Sequence, residues 1–301
     1  MKTISQICLL TLLGVLSSPA SAALSVFACE PEWGALAKEL AGDRASVYVA
    51  TTALQDAHRI DARPSLIARA RGADLMICSG SELEIGWVPL LLAQAGNNRI
   101  QPGSPGYLEA SQFVARIEIP RVVDRSLGDI HPTGNPHVHT DARNIGRVAG
   151  VLAERLGQLD PAGADYYRSR AESFMARWHS AIQRWEGEGA RLKGMPIVVY
   201  HRDFSYFIRW MGMREAGSLE PKPGIPPTPA HLAGLVEQMK HAPAKVIIYA
   251  PYNDPRAAQF LSERTGIPAV MLPFTVGGSD RARDLFGVFD ETIARLLAVM
   301  P

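Results

Sequence analysis

Residues 24–78 read LSVFACEPEWGALAKELAGDRASVYVATTALQDAHRIDARPSLIARARGADLMIC. Three short apolar runs, 24–28, 46–50 and 75–78, have the length and residue types of buried strands. The intervening stretches 33–40 and 64–71 carry helical patterns. The second opens on Pro64, where a missing N–H costs a helix nothing. Strands alternating with helices in this way predict a parallel sheet covered by helices. A second set begins at Pro196, with strands at 197–200, 245–249 and 269–272 and helices at 204–211, 229–240 and 255–266. A last helix at 285–299 closes the chain.

A long helical stretch separates the two sets. One helix covers 142–156, and Asp160-Pro161 opens another, with Asp as N-cap and Pro at the first helical position. Its apolar residues Tyr167, Phe174, Trp178, Ile182 and Trp185 fall on one face. A helix of roughly 25 residues is about 38 Å long, enough for a rigid strut. The expectation is an α/β protein of two parallel-sheet lobes: a signal peptide at 1–22, an N-terminal lobe at 23–159, a linking helix at 160–190 and a C-terminal lobe at 191–301. The Pro-rich stretch 220–229 reads as an ordered crossover loop.

Composition narrows the function. The 301 residues carry 31 Lys+Arg against 30 Asp+Glu, which removes the basic surplus a nucleic-acid partner would need. Mean hydropathy near zero excludes a polytopic membrane protein. Lys2, the apolar run 7–16 and Ala20-Ser21-Ala22 form a secretory signal, so a soluble exported chain of 279 residues (301 less 22) is expected. Cys8 precedes most of the apolar run and is badly placed to anchor a lipid. Cys29 and Cys78 then remain, each ending an apolar run. An oxidising compartment permits a disulfide between them, with two buried thiols as the alternative.

Four of the eight histidines lie where a site could form. His58 follows a strand, His137 and His139 precede a helix, and His201 directly follows a strand. Ligands bind beyond the C-terminal ends of parallel strands, so His58 and His201 could meet across one cleft. Converging neutral imidazoles suit zinc. His179, His231, His241 and the loop residue His131 read as solvated. No G-x-S-x-G elbow, P-loop or H-E-x-x-H occurs.

Three segments resemble one family, the zinc- and manganese-binding solute-binding proteins of bacterial ABC importers. Gln55-Asp-Ala-His58-Arg-Ile-Asp-Ala-Arg-Pro64-Ser65 is similar to its D-P-H-x-x-E-x-x-P-S segment. Asn135-Pro-His137-Val-His-Thr-Asp141 is similar to D-P-H-x-W-x-D-P, and Val199-Tyr-His201-Arg-Asp-Phe204-Ser-Tyr206-Phe207 to H-x-x-F-x-Y-F. The resemblance covers nearly the whole mature chain. It implies two α/β lobes joined by a rigid helix, with a metal site in the cleft between them.

By position, the resemblance implies His58, His137 and His201 as metal ligands, with His139 as the alternative to His137. Manganese-type relatives usually have Glu at the place of His201, so zinc is the expected cargo. The family's first and third strands are neighbours, which implies a Cys29–Cys78 disulfide. The family aspartate after the last strand is absent here, where Leu272-Pro273-Phe274 stands. Asp280, beyond Gly277-Gly278, is therefore expected as fourth ligand, with water as the alternative and Asp284 as a helix cap. The function implied is capture of zinc in the periplasm by a soluble monomer and delivery to an inner-membrane ABC permease. A periplasmic metallochaperone is a further partner to consider. The competing readings are a secreted zinc hydrolase, whose three-His site would keep an open position for water, and a metal-dependent adhesin.

Overall fold

The computed structural model describes residues 23–300, and the signal segment and Cys8 lie outside the described residues. Two four-stranded sheets, parallel throughout, form the two lobes. The first is built from β1 (Leu24–Ala28), β2 (Ala45–Val49), β3 (Leu75–Cys78) and β4 (Tyr107–Glu109), in the order β2-β1-β3-β4. Its helices are α1 (Pro31–Ala41), α2 (Pro64–Arg71) and α3 (Val88–Ala95). After α4 (Ala142–Leu159) and α5 (Ala164–Gly189) comes the second sheet. It contains β5 (Pro196–Val199), β6 (Arg214–Ser218), β7 (Val246–Tyr249) and β8 (Ala269–Met271), in the equivalent order β6-β5-β7-β8. Helices α6 (Ser205–Trp210), α7 (Pro229–His241), α8 (Pro255–Thr265) and α9 (Leu285–Ala298) accompany it. No helix among the described residues is long and apolar enough to cross a membrane.

The edge strands β4 and β6 and the helix α3 go beyond the sequence expectation. Arg214-Glu-Ala-Gly-Ser218 has no β-branched residue and is at most half-buried, so nothing in its composition marks a strand. Pairing with β5 makes it one.

The 26-residue helix α5 joins the lobes, burying Tyr167, Phe174, Trp178 and Trp185. The Trp178 indole donates to Ala142 O at 2.8 Å and the Trp185 indole to Asp290 Oδ1 at 2.7 Å, tying the helix to α4 and α9. One apolar core runs from β1 through α4 and α5 to β5 and α9. Asp160 departs from the capping expectation. Its Oδ2 accepts instead from Arg44 at 2.7 Å and from the Tyr167 hydroxyl at 2.8 Å, pinning the start of the strut to the N-terminal lobe.

Cys29 and Cys78 form a disulfide across the neighbouring strands β1 and β3, with Cα atoms 4.8 Å apart. Directly beyond it, the Ser79 amide donates to Glu84 Oε1 at 2.8 Å and to Glu30 Oε2 at 3.2 Å. Burial pushes Glu84 up to about 7, and burial together with Glu84 holds Glu30 well above the usual carboxylate range. A carboxyl whose folded pKa lies above its unfolded one lends stability that is complete below about pH 4.5 and lost as pH rises through about 7. Unfolding free energy should therefore fall between these values, by about 1.4 kcal/mol for each tenfold rise in proton affinity that folding confers on the carboxyl. Glu84→Gln should flatten that slope in urea titrations run across the range. An unchanged slope would place the pH dependence elsewhere.

Candidate metal centre

Each sheet ends in a loop that carries one histidine toward the cleft. His58 lies between β2 and α2, where Asp56 Oδ1 accepts from its backbone N–H at 3.0 Å and from its Nδ1 at 2.7 Å. That bond makes Nδ1 the donor and puts the lone pair on Nε2, which faces His131 Nε2 at 3.3 Å. His201 follows β5, and its Nδ1 donates to Glu220 Oε2 at 2.7 Å, which fixes the ring. His137 sits before α4, its amide held by Asn135 Oδ1 at 2.9 Å. It is buried, and among the described residues neither of its ring nitrogens has a hydrogen-bond partner. A buried polar group left unpaired costs about 1–3 kcal/mol, which a metal on the ring would recover.

The structure brings these three together. One ring nitrogen from each lies within 4.8 Å of the other two. The ring centroids are 5.3 Å apart for His58 and His137, 5.8 Å for His58 and His201, and 5.7 Å for His137 and His201. Burial, reinforced by His58 and His201, pushes His137 well below the usual imidazole range and keeps it neutral. Burial also lowers His201, but Asp203 and Glu220 outweigh it and hold the group at about 9. A metal arriving at neutral pH must therefore displace a proton from His201. A cavity of about 50 Å³ beside the cluster is lined by His131, His137 and His201, with Glu118, Asp129 and Arg202 at its wall.

Neighbouring candidates are placed differently. His139 faces away from the cluster: its Nδ1 lies 3.0 Å from Glu32 Oε1, and its Nε2 donates to Phe274 O at 3.1 Å. His131 is not the solvated loop residue expected. Its Nε2 lies 3.3 Å from His58 Nε2, and burial, then His58, hold its pKa down to about 4. The 220–229 crossover holds its loop in place, with the Asp129 amide donating to Pro223 O at 2.7 Å. Asp284 caps α9, accepting from the Gly287 amide at 2.8 Å. Asp280 is exposed and is not among the side chains brought together. The turn before it closes on itself, with the Gly278 amide donating to Thr275 O and the Gly277 amide to Ala282 O. The glycines bend the chain, and they bend Asp280 outward.

Sequence reasoning missed Asp203. It stands two residues after His201 in a single 3-10 turn, buried at 1% exposure, with Oδ1 3.7 Å from His137 Nε2. Burial raises its pKa, opposed by His201 and by a hydrogen bond from the Tyr252 hydroxyl. The available signal was a carboxylate inside a His-x-Asp triplet at a strand end.

A profile of the family described as ZnuA, "Zinc-uptake complex component A periplasmic", matches residues 26–298. The chain belongs to this family. A high-affinity zinc uptake system protein ZnuA from Brucella abortus (strain 2308) is 25% identical over 135 residues, covering 44% of this chain and 40% of the relative. The match thus spans less than half the length of that relative. The manganese ABC transporter substrate-binding lipoprotein PsaA of Streptococcus pneumoniae is 23% identical over 271 residues, covering 87% of this chain and 83% of PsaA. A crystal structure of ZnuA superposes with a TM-score of 0.76 at 19% identity, over 91% of this chain and 99% of that one. At that identity the superposition speaks to the fold: two lobes and a linking helix.

Proposed function

We propose that this chain captures zinc in the periplasm and passes it to the inner-membrane permease of an ABC importer. The observation that carries the reading is the convergence of three histidines from both lobes of a chain that belongs to a zinc-uptake family. His58, His137 and His201 are the proposed ligands. Asp56 and Glu220 orient two of the rings, as carboxylates do for metal-bound histidines. Three imidazoles favour Zn²⁺, whereas Mn²⁺ prefers a set richer in oxygen. Because His58 and His201 follow strands of different sheets, separation of the lobes would break the ligand set and free the ion. The comparisons lend no support to the hydrolase alternative.

A titration of the mature, metal-stripped protein tests the reading. Zinc at a thousandfold excess over Kd should raise the unfolding free energy by roughly 4 kcal/mol, and manganese at the same concentration should raise it much less. An unfolding midpoint that does not move with zinc would refute capture of this metal. Equal or larger shifts with manganese would reassign the cargo.

A further inference from the structure

We propose that Asp203 supplies the fourth donor to the metal, so that the site closes with three histidines and one carboxylate from the C-terminal lobe's own His201-Arg-Asp203 turn. The inference rests on the proposed capture of metal by His58, His137 and His201.

Three observations carry it. Asp203 is almost completely buried, at 1% exposure. Its Oδ1 accepts from the Tyr252 hydroxyl at 2.5 Å, while among the described residues its Oδ2 has no partner. Its Oδ1, the oxygen that also accepts from Tyr252, lies 3.7 Å from Nε2 of His137, the proposed ligand whose ring has no hydrogen bond of its own. A buried carboxylate with an idle oxygen is costly, and a divalent cation removes that cost. In a tetrahedral site with metal–donor distances of 2.0–2.2 Å, neighbouring donors stand about 3.4 Å apart. The observed separation is within a few tenths of an ångström of that value.

The charge balance agrees. Three neutral imidazoles leave a bound Zn²⁺ with its full charge in a buried place, and one carboxylate halves it. The other candidates satisfy fewer of these conditions. Asp280 is exposed on the outer side of its turn. Among the described residues His131 has no fully buried ring nitrogen left without a partner, unlike Asp203 with its Oδ2. It groups with His58 and Asp129, and neither it nor Asp203 lies within 4.8 Å of all three ring nitrogens of the histidine set, so Asp203 joins the ion by a side-chain adjustment on binding. With Asp203 the ligands divide evenly: His58 and His137 from the segments before the strut, His201 and Asp203 from the segment after it.

Chelator-competition titration of the mature protein and its variants tests this. Asp203→Asn keeps the shape and loses the anion. It should weaken zinc binding about 100-fold or more, because even residues that only orient a ligand cost 10–100-fold. Asp280→Ala should stay within a few-fold of the parent, whereas Tyr252→Phe, which removes the hydrogen bond that orients Asp203, should weaken binding by less than Asp203→Asn does. Cobalt bound to Asp203→Asn should show an altered visible spectrum. If the parent binds zinc tightly and Asp203→Asn binds it equally well, with the parent's cobalt spectrum, the inference fails while the capture reading stands. If the parent binds no zinc, the capture reading itself fails. A crystal structure of the zinc-loaded parent decides the matter even if the variant does not fold. An Asp203 oxygen within about 2.2 Å of the ion supports the proposal, and a water or another side chain in that place overturns it.

Discussion

His137→Ala should weaken zinc binding by about 100-fold or more, while His139→Ala, two residues along, should leave it nearly intact. The apparent free energy of zinc binding at a four-donor site is about 10–16 kcal/mol, or roughly 3 kcal/mol for each donor, and 2.7 kcal/mol is already 100-fold. The two histidines are equally buried, at 2% and 3% exposure, so burial does not distinguish them. Their contacts do. The ring of His137 makes no hydrogen bond, so its removal leaves a cavity but also deletes an unpaired polar group. The first costs about 2–5 kcal/mol and the second returns about 1–3 kcal/mol. The metal-free protein should therefore lose little stability. His139 donates to Phe274 O, which loses that partner in His139→Ala, so the cavity cost is augmented rather than offset. Its metal-free form should lose about 3 kcal/mol or more. Chelator competition read beside urea unfolding checks both halves. Loss of zinc binding in His139→Ala with retention in His137→Ala would exchange their roles.

The parts of this molecule that were legible in the sequence are those whose signal is local. The alternation over 24–78 is readable because β1 and β3 are buried on both faces and so appear as continuous apolar runs. His58 and His201 are readable because parallel strands end at a common crevice, whatever lies between them, and His137 because its segment resembles a family motif. What was not legible depends on contacts made at long range. Arg214–Ser218 is a strand only because β5 lies beside it. Asp160 has the sequence of a helix cap, yet Arg44, distant in the chain, takes its carboxylate. The direction in which a Gly-Gly turn sends the next aspartate is set by hydrogen bonds to Thr275 and Ala282, which no propensity encodes. Asp203 was invisible for a related reason. A buried carboxylate and a solvated one have the same letter, and only the surrounding His137, His201 and Tyr252 distinguish them.

Removing the Cys29–Cys78 bond should lower the unfolding free energy by about 4 kcal/mol without abolishing zinc binding. The two cysteines are 49 positions apart, and closing a loop of that size removes roughly 14 cal/mol/K of chain entropy from the unfolded state. The closed loop contains α1, β2, α2 and β3 as far as Cys78, and His58 lies within it. The appropriate variant is Cys29→Ala with Cys78→Ala. Both residues are at most 1% exposed, and serine would add two buried hydroxyls whose desolvation cost would be mistaken for the lost cross-link. For a chain of this size the loss corresponds to a melting temperature lower by about 7 °C. The native geometry around His58 should survive, because Asp56 fixes its ring and the Thr51 hydroxyl still bonds to the backbone carbonyl at position 29. Zinc should then restore part of the lost stability by mass action, since it binds only the folded chain. Denaturant titrations of parent and double variant, each with and without zinc, measure all four states. A double variant within 1 kcal/mol of the parent would mean that the unfolded chain gains little freedom from losing the bond. A variant that folds but no longer takes up zinc would mean that the bond, rather than Asp56, positions His58.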